Sequence, residues 1–226
     1  MTLAMPLAMN PIHGRGAQQG FVLIIMLLVL VLGSAYFLLV ELNNTNLHLQ
    51  TQADTTRQTA HIMEALLGFA LVNKRLPCVA GNGNTGVENC ALTGEAYLPW
   101  ATLGIDAKDS WGRPMRYRVD SNYTVAVTSA PLSVGSFTVR NLVGSTLSQT
   151  GINSPPAVVF SCGLDGKPNS GNDANGAPNA NGLCDNPGPA VSAYVQDAIV
   201  ADTFDDIVLW LPRNTLVSRM TAAGKW

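Results

Sequence analysis

Gln18-Gln19-Gly20-Phe21 opens an uncharged apolar run, FVLIIMLLVLVLGSAYFLLV, that ends at Val40. Its 20 residues, at about 1.5 Å of helical rise each, just cross the roughly 30 Å hydrocarbon core of a bilayer. An ordinary secretory signal has a shorter apolar region, roughly 7 to 15 residues, and is cut after it at small residues. Here the polar-to-apolar junction with its lone glycine lies in front of the run, so a cut there would leave the apolar segment on the mature protein. A plain signal anchor with an incidental Gly20 is the bland alternative. Met5 and Met9 are also candidate starts, which leaves the length of the leader open.

Composition narrows the rest. The 226 residues suit one membrane helix and one globular domain of modest size. Lys and Arg number 13 against 15 Asp and Glu, and without residues 1–20, which hold only Arg15, the balance is 12 against 15. Nothing in it attracts nucleic acid or an anionic membrane surface. Arg15 before the span and Glu41 after it favour a cytoplasmic N-terminus and an exported C-terminal part. Cys78, Cys90, Cys162 and Cys184 all fall in that exported part, with no C-x-x-C and no nearby His. In an oxidising compartment the sequence-local pairing, Cys78 with Cys90 and Cys162 with Cys184, is the simplest of three connectivities, and buried free thiols are the alternative. Each bridge would contribute roughly 3 kcal/mol by restricting the unfolded chain.

Past Glu41 the helical signal continues. Leu42, Leu49, Ala53, Ala60, Met63, Leu67 and Leu71 recur at helical spacings, and Ile62, Leu66 and Phe69 widen the stripe where a helix would enter a core. No proline interrupts residues 21–76, and Pro77 ends the pattern. A continuous helix to residue 74 would be about 80 Å long. Residues 75–107, with Gly81-Asn82-Gly83-Asn84-Thr85-Gly86, read as loop. Short β-branched or aromatic runs predict strands at 115–119, 123–129, 137–142, 157–161 and 207–211. Residues 163–189 read as a polar surface loop pinned by Cys162 and Cys184, and 212–223 as a short closing helix with Leu216, Val217 and Met220 on one side.

Three further segments carry a resemblance. Asp109-Ser110-Trp111-Gly112-Arg113-Pro114 is followed by Tyr117, then Phe160-Ser161-Cys162-Gly163-Leu164-Asp165-Gly166, then Asp205-Asp206-Ile207 with Trp210. With the Gly20-Phe21 junction, these segments resemble, in order, those of the type IV pilin and type II secretion pseudopilin family. The resemblance implies cleavage after Gly20 by a prepilin peptidase and N-methylation of Phe21. It also implies a long N-terminal helix packed on a small antiparallel sheet. The family usually carries Glu as the fifth mature residue, where its charge pairs with a neighbouring subunit. Ile25 stands there instead, which points to a minor or initiating subunit. Major pseudopilins hold calcium in the loop bearing the last two segments. Asp165, Asp205 and Asp206 align with that region, with Asn172 and Asp173 nearby. Solvated turn carboxylates, with a disulfide as the loop's clamp, are the other reading of these acids. Gly112, Pro114, Trp111 and Trp210 read as fold-building residues.

Catalysis has little support. His13, His48 and His61 lie in the leader or on the long helix, so residues 76–226 have no histidine for a Ser-His-Asp, Cys-His or His-bearing zinc site. Arg113, Arg116 and Arg118 form the one basic cluster and read as an exposed strand face, with no nucleic acid expected. The expected protein is α+β and pilin-like: leader 1–20, membrane half-helix 21–40, amphipathic half-helix 41–75 and globular domain 76–226. It is expected to be no enzyme, with no cofactor unless calcium binds. Implied partners are other pilin-like subunits through the helix, the prepilin peptidase and an inner-membrane assembly platform. A single-pass inner-membrane protein with a periplasmic domain, later built into a filament, is the implied location. A membrane-anchored binding or adhesion module, never assembled into a filament, is the alternative.

Overall fold

The structure is a computed structural model that describes residues 16–106, 108–135, 137–169, 171–172, 192–200 and 203–226, with backbone alone at 16–19 and 43–48. Helix α1 runs Gly16–Asn73. The chain divides into two units, residues 1–47 and 48–226. In the first, Gly20–Leu42 is long and apolar enough to cross a membrane, with a mean hydropathy of 2.9 and its side chains exposed.

In the second unit, α1 buries Thr55, Thr59, Ile62, Met63, Leu66, Leu67 and Ala70 along one face. Before Ile62 this corrects the expected stripe, because Leu49, Ala53 and Ala60 are exposed and two threonines are buried in their place. The cause is a polar turn that needs partners. Thr55 Oγ1 accepts the Ser110 N–H at 3.2 Å and Gln58 Nε2 donates to the Lys108 carbonyl at 2.6 Å. Thr59 Oγ1 returns a hydrogen bond to the Thr55 carbonyl at 2.7 Å. Helix α1 ends where Lys74 turns left-handed at φ 58° and donates its N–H to the Ala70 carbonyl.

Among the described residues, six strands and two short helices follow: β1 Glu95–Tyr97, α2 Trp100–Leu103, β2 Arg116–Val119, β3 Thr138–Arg140, β4 Ala157–Ser161, β5 Ala193–Val195, β6 Ile207–Leu211 and α3 Arg213–Ala222. The main sheet has the order β1-β2-β4-β6 with every neighbouring pair antiparallel, and β3 and β5 form a separate parallel pair. Strand β4 is central and buried on both faces. Its alternation divides the core. Ala157 and Val159 join Tyr117, Leu211, the buried apolar residues of α1, and Leu216 and Met220 of α3. Val158 and Phe160 point the other way, to Val208, Phe137, Val139 and Tyr194.

Four strand expectations hold to within a few residues at 116–119, 138–140, 157–161 and 207–211. The fifth does not. Residues 121–123 form a 3-10 turn, capped by the Asp120 carboxylate accepting the Asn122 N–H, and no strand follows. Tyr123 is buried there by its donation to the Pro131 carbonyl at 2.7 Å. Strand β1 and helix α2 lie in the segment read as loop. Residues 95–97 gain a partner on each side, the backbone of Ala80 and strand β2.

Candidate functional site

Gly20 and Phe21 lie within α1, and both are exposed. A Cβ added at Gly20 would meet nothing within 4 Å, so local packing places no demand for glycine there. Ile25 is also exposed.

The three downstream segments come together at one end of the main sheet. Asp109 is buried and its carboxylate organises the first: Oδ1 accepts the N–H groups of Trp111 and Arg113 at 3.0 and 2.8 Å, while Gly112 turns left-handed at φ 80°. Oδ2 of Asp109 accepts the Ser161 hydroxyl at 2.5 Å, tying the first segment to the second. The Arg113 guanidinium donates to the Gly163 carbonyl. Gly163 sits at φ 55°, and a Cβ there would meet the Asp205 carbonyl oxygen at 2.3 Å, so the second and third segments touch only because the residue is glycine.

Asp205 and Asp206 are not the solvated turn carboxylates expected of them. Asp206 is fully buried and Asp205 half-buried. Through Oδ2, Asp206 accepts the Asn169 N–H at 2.7 Å and the Asn172 side-chain amide at 2.8 Å. Asp205 accepts the Asp165 N–H at 2.8 Å, and Asn169 Oδ1 accepts the Asp205 N–H at 2.8 Å. Burial holds the Asp206 carboxyl well above the usual carboxylate range and raises Asp205 in the same direction. Among the described residues, Oδ1 of each is buried without a partner.

Those two orphaned oxygens are what a cation would seek, and the three carboxylates of the expected calcium set do not by themselves form one compact group. Oxygens around one calcium ion, each at roughly 2.4 Å, stand within about 4.8 Å of one another. Among the described residues the one group of three His, Cys, Asp or Glu that meets such a limit is Cys78, Glu88 and Cys90, not Asp165, Asp205 and Asp206. The Oδ2 atoms of Asp205 and Asp206 are already committed to amide donors. Asp165 is exposed and turns its Oδ1 to the Lys167 N–H. Asp173 lies outside the described residues.

Cys78 and Cys90 form a disulfide with Cα atoms 5.1 Å apart. Glu88 closes the same loop: it pairs with Arg75 through two hydrogen bonds of 2.7 and 2.8 Å and accepts the Cys78 N–H at 2.9 Å. Its hydrogen bond from Arg75 holds the Glu88 carboxyl below its ordinary value. Cys162 is disulfide-bonded and buried. Cys184, its expected partner, lies outside the described residues.

The arginine cluster is corrected. Arg116 and Arg118 are buried, at 1% and 9% exposure, against the second core face. Arg116 pairs with Glu95 and lies over the Phe160 ring at 5.6 Å, and Arg118 lies over Phe137 at 4.8 Å. Glu95 also accepts the Tyr194 hydroxyl at 2.6 Å, and burial raises the Glu95 carboxyl despite the neighbouring guanidinium. Sequence reasoning missed Glu95, Tyr194 and Asn169. No spacing signal links Glu95 to Arg116 or Tyr194, because only the tertiary fold brings them together. What the site does chemically is join segments through buried polar side chains.

Comparison with protein-family models, with curated proteins and with solved structures finds no match. The fold itself defines an α+β protein with an N-terminal apolar helix of membrane-spanning length, a small antiparallel sheet and a disulfide-closed loop.

Proposed function

We propose that this chain is a minor pilin or pseudopilin, a structural subunit that initiates or joins a type IV pilus or type II secretion pseudopilus. The observation that carries the reading is the exposed apolar helix Gly20–Leu42, entered through Gln18-Gln19-Gly20-Phe21. Prepilin peptidase cleaves after Gly20, Phe21 becomes the methylated N-terminus, and the span holds the protein in the inner membrane. The globular part faces the periplasm. During assembly the span leaves lipid and is buried against the helices of sibling subunits. Ile25 in place of a carboxylate suits a subunit that does not repeat along the filament, since an acid in that setting is costly and kept for pairing.

Support also comes from the downstream segments, whose named residues meet at one end of the sheet and are spent on holding it together. No catalytic role is assigned to any of them. The mature N-terminus tests the reading. Peptide mapping of the protein from cells with and without prepilin peptidase should give a methylated Phe21 start in the first and an uncut leader in the second. An identical terminus in both overturns it. Co-purification separates it from the anchored binding module, which needs no sibling contact through α1.

A further inference from the structure

Asparagine followed two residues on by serine or threonine, with no proline between, is the acceptor sequence for an N-linked saccharide on exported chains. The sequence holds it twice, as Asn43-Asn44-Thr45 and as Asn122-Tyr123-Thr124. In both an acid stands two residues ahead of the asparagine, Glu41 in the first and Asp120 in the second. Asn43 directly follows Leu42, where the apolar span ends. Asn122 belongs to the globular part, well beyond that span.

The fold accounts for two neighbours of Asn122 and not for its own side chain. Asp120 is buried, and its carboxylate accepts the N–H groups of Asn122 and Val134 at 3.0 and 2.8 Å. Tyr123 is buried beside it in the 3-10 turn 121–123. The Asn122 side chain is exposed. Its Nδ2 donates one hydrogen to the Leu132 carbonyl at 2.7 Å and makes no second bond among the described residues. The surface next to it is apolar. Leu132 and Val134, each more than half exposed, flank the buried Ser133, whose N–H donates at 3.0 Å to the carbonyl of Ile152, also more than half exposed. Apolar side chains gathered at a surface mark a place that something covers.

We propose that Asn122 carries an N-linked saccharide that stands over Leu132, Val134 and Ile152. The donor is a saccharide joined through its anomeric carbon to a lipid pyrophosphate. Nδ2 of Asn122 bonds to that carbon, the bond from the carbon to the pyrophosphate oxygen breaks, and the electron pair leaves with the lipid pyrophosphate. One Nδ2 proton passes to a base of the transferase. The other hydrogen stays on Nδ2, so the bond to the Leu132 carbonyl is kept and holds the sugar beside the apolar side chains. The C–H face of the sugar ring then removes part of their surface from water. Transfer takes the segment before the turn closes, while Asp120 is free to pair with a cationic group of the transferase. The Thr124 hydroxyl is also free at that stage, whereas in the closed turn it donates to the Ser121 carbonyl at 2.8 Å. The inference rests on the proposed export of the globular part and not on filament assembly.

The test uses the full-length protein with an acceptor segment, Asp-Gln-Asn-Ala-Thr, appended after Trp226. It is produced in cells that hold a periplasm-facing oligosaccharyltransferase and its lipid-linked saccharide. Mass spectrometry of the tryptic peptide running from Val119 to Arg140, which contains a single acceptor sequence, should show one saccharide on Asn122. Asn122→Gln and Thr124→Val should each lose it, and Thr124→Ser should retain it, since either hydroxyl serves an acceptor. Hydroxyl-radical labelling of Leu132, Val134 and Ile152 should be lower in the modified protein than in Asn122→Gln. A bare Asn122 beside a modified appended segment overturns the proposal and leaves export of the globular part standing. If both are bare, export fails and the proposal with it. A saccharide that persists on this peptide in Thr124→Val, or equal labelling of the three apolar residues with and without it, also overturns the proposal.

Discussion

Among single residues the decisive one is Asp206, a carboxylate without exposed surface that keeps one oxygen unpaired among the described residues. Burial lifts its folded-state value well above that of the unfolded chain. The native state then binds more protons than the unfolded state between those two values, so stability is greatest below the ordinary carboxylate value and falls as pH rises toward the buried group's own. Glu95 and Asp205, raised by the same cause, act in the same direction. Asp206→Asn keeps an oxygen for Asn169 and Asn172 and removes the charge. The variant should therefore be about 1 kcal/mol more stable than the parent at pH 7. Its stability should also fall less steeply above about pH 4. Denaturant titration across pH in micelles measures both, and a variant that is weaker at pH 7 with an unchanged slope defeats the account. Gly163→Ala tests the neighbouring contact: it forces a Cβ into the Asp205 carbonyl at a left-handed backbone position. A loss of about 2–4 kcal/mol is expected in the same titration. Sequence located these residues and misjudged their environment. Adjacent acids beside a polar loop look solvated until strand pairing draws residues 169, 172 and 206 together.

At the scale of elements, what could be read in the chain was what repeats along it. The long helix and the closing helix carry a helical spacing and the central strand at 157–161 an unbroken β-branched and aromatic run, and each is present. Strand β1 carries none. Glu95-Ala96-Tyr97 lies in a Gly- and Asn-rich segment and becomes a strand because Ala80 and β2 offer backbone partners on its two sides. The same pairing turns Arg116 inward, where it meets Glu95 and the Phe160 ring. An isolated alternation of Arg, Tyr and Arg reads as solvent-facing, since Glu95, whose carboxylate pairs with the buried Arg116, is distant in the sequence. Glu95→Gln leaves the Arg116 guanidinium in the core without its anionic partner, and a loss of about 3 kcal/mol in denaturant titration is expected. A loss under about 0.5 kcal/mol, typical of an exposed pair, would contradict the burial. The disulfide is the other link between elements. Replacing Cys78 and Cys90 together by Ala should cost roughly 3 kcal/mol. The Arg75 to Glu88 pair and its hydrogen bond to Cys78 remain to hold the loop, so the double variant should still fold. A far-UV spectrum distinct from the parent's would contradict that.

For the chain taken end to end, the residue that decides its role is the glycine at position 20. A helix interior disfavours glycine by about 1 kcal/mol relative to alanine, and α1 runs through Gly20 without a break. Nothing crowds the position, and its backbone needs no positive φ. The fold therefore gives no reason for the residue, and by the proposed function the reason lies in recognition by the peptidase. Gly20→Leu separates the two. It should leave the protein in the membrane and its thermal unfolding unchanged or slightly raised, since leucine is the better helix former and adds to the apolar run. At the same time it should abolish the shift of the mature N-terminus to Phe21 in cells that have the peptidase. Intact-mass measurement of parent and variant from one strain reads processing, and calorimetry of the two reads stability. A variant cut as efficiently as the parent would show that Gly20 is incidental, the plain signal anchor would become the better account, and the case for a filament subunit would fall with it.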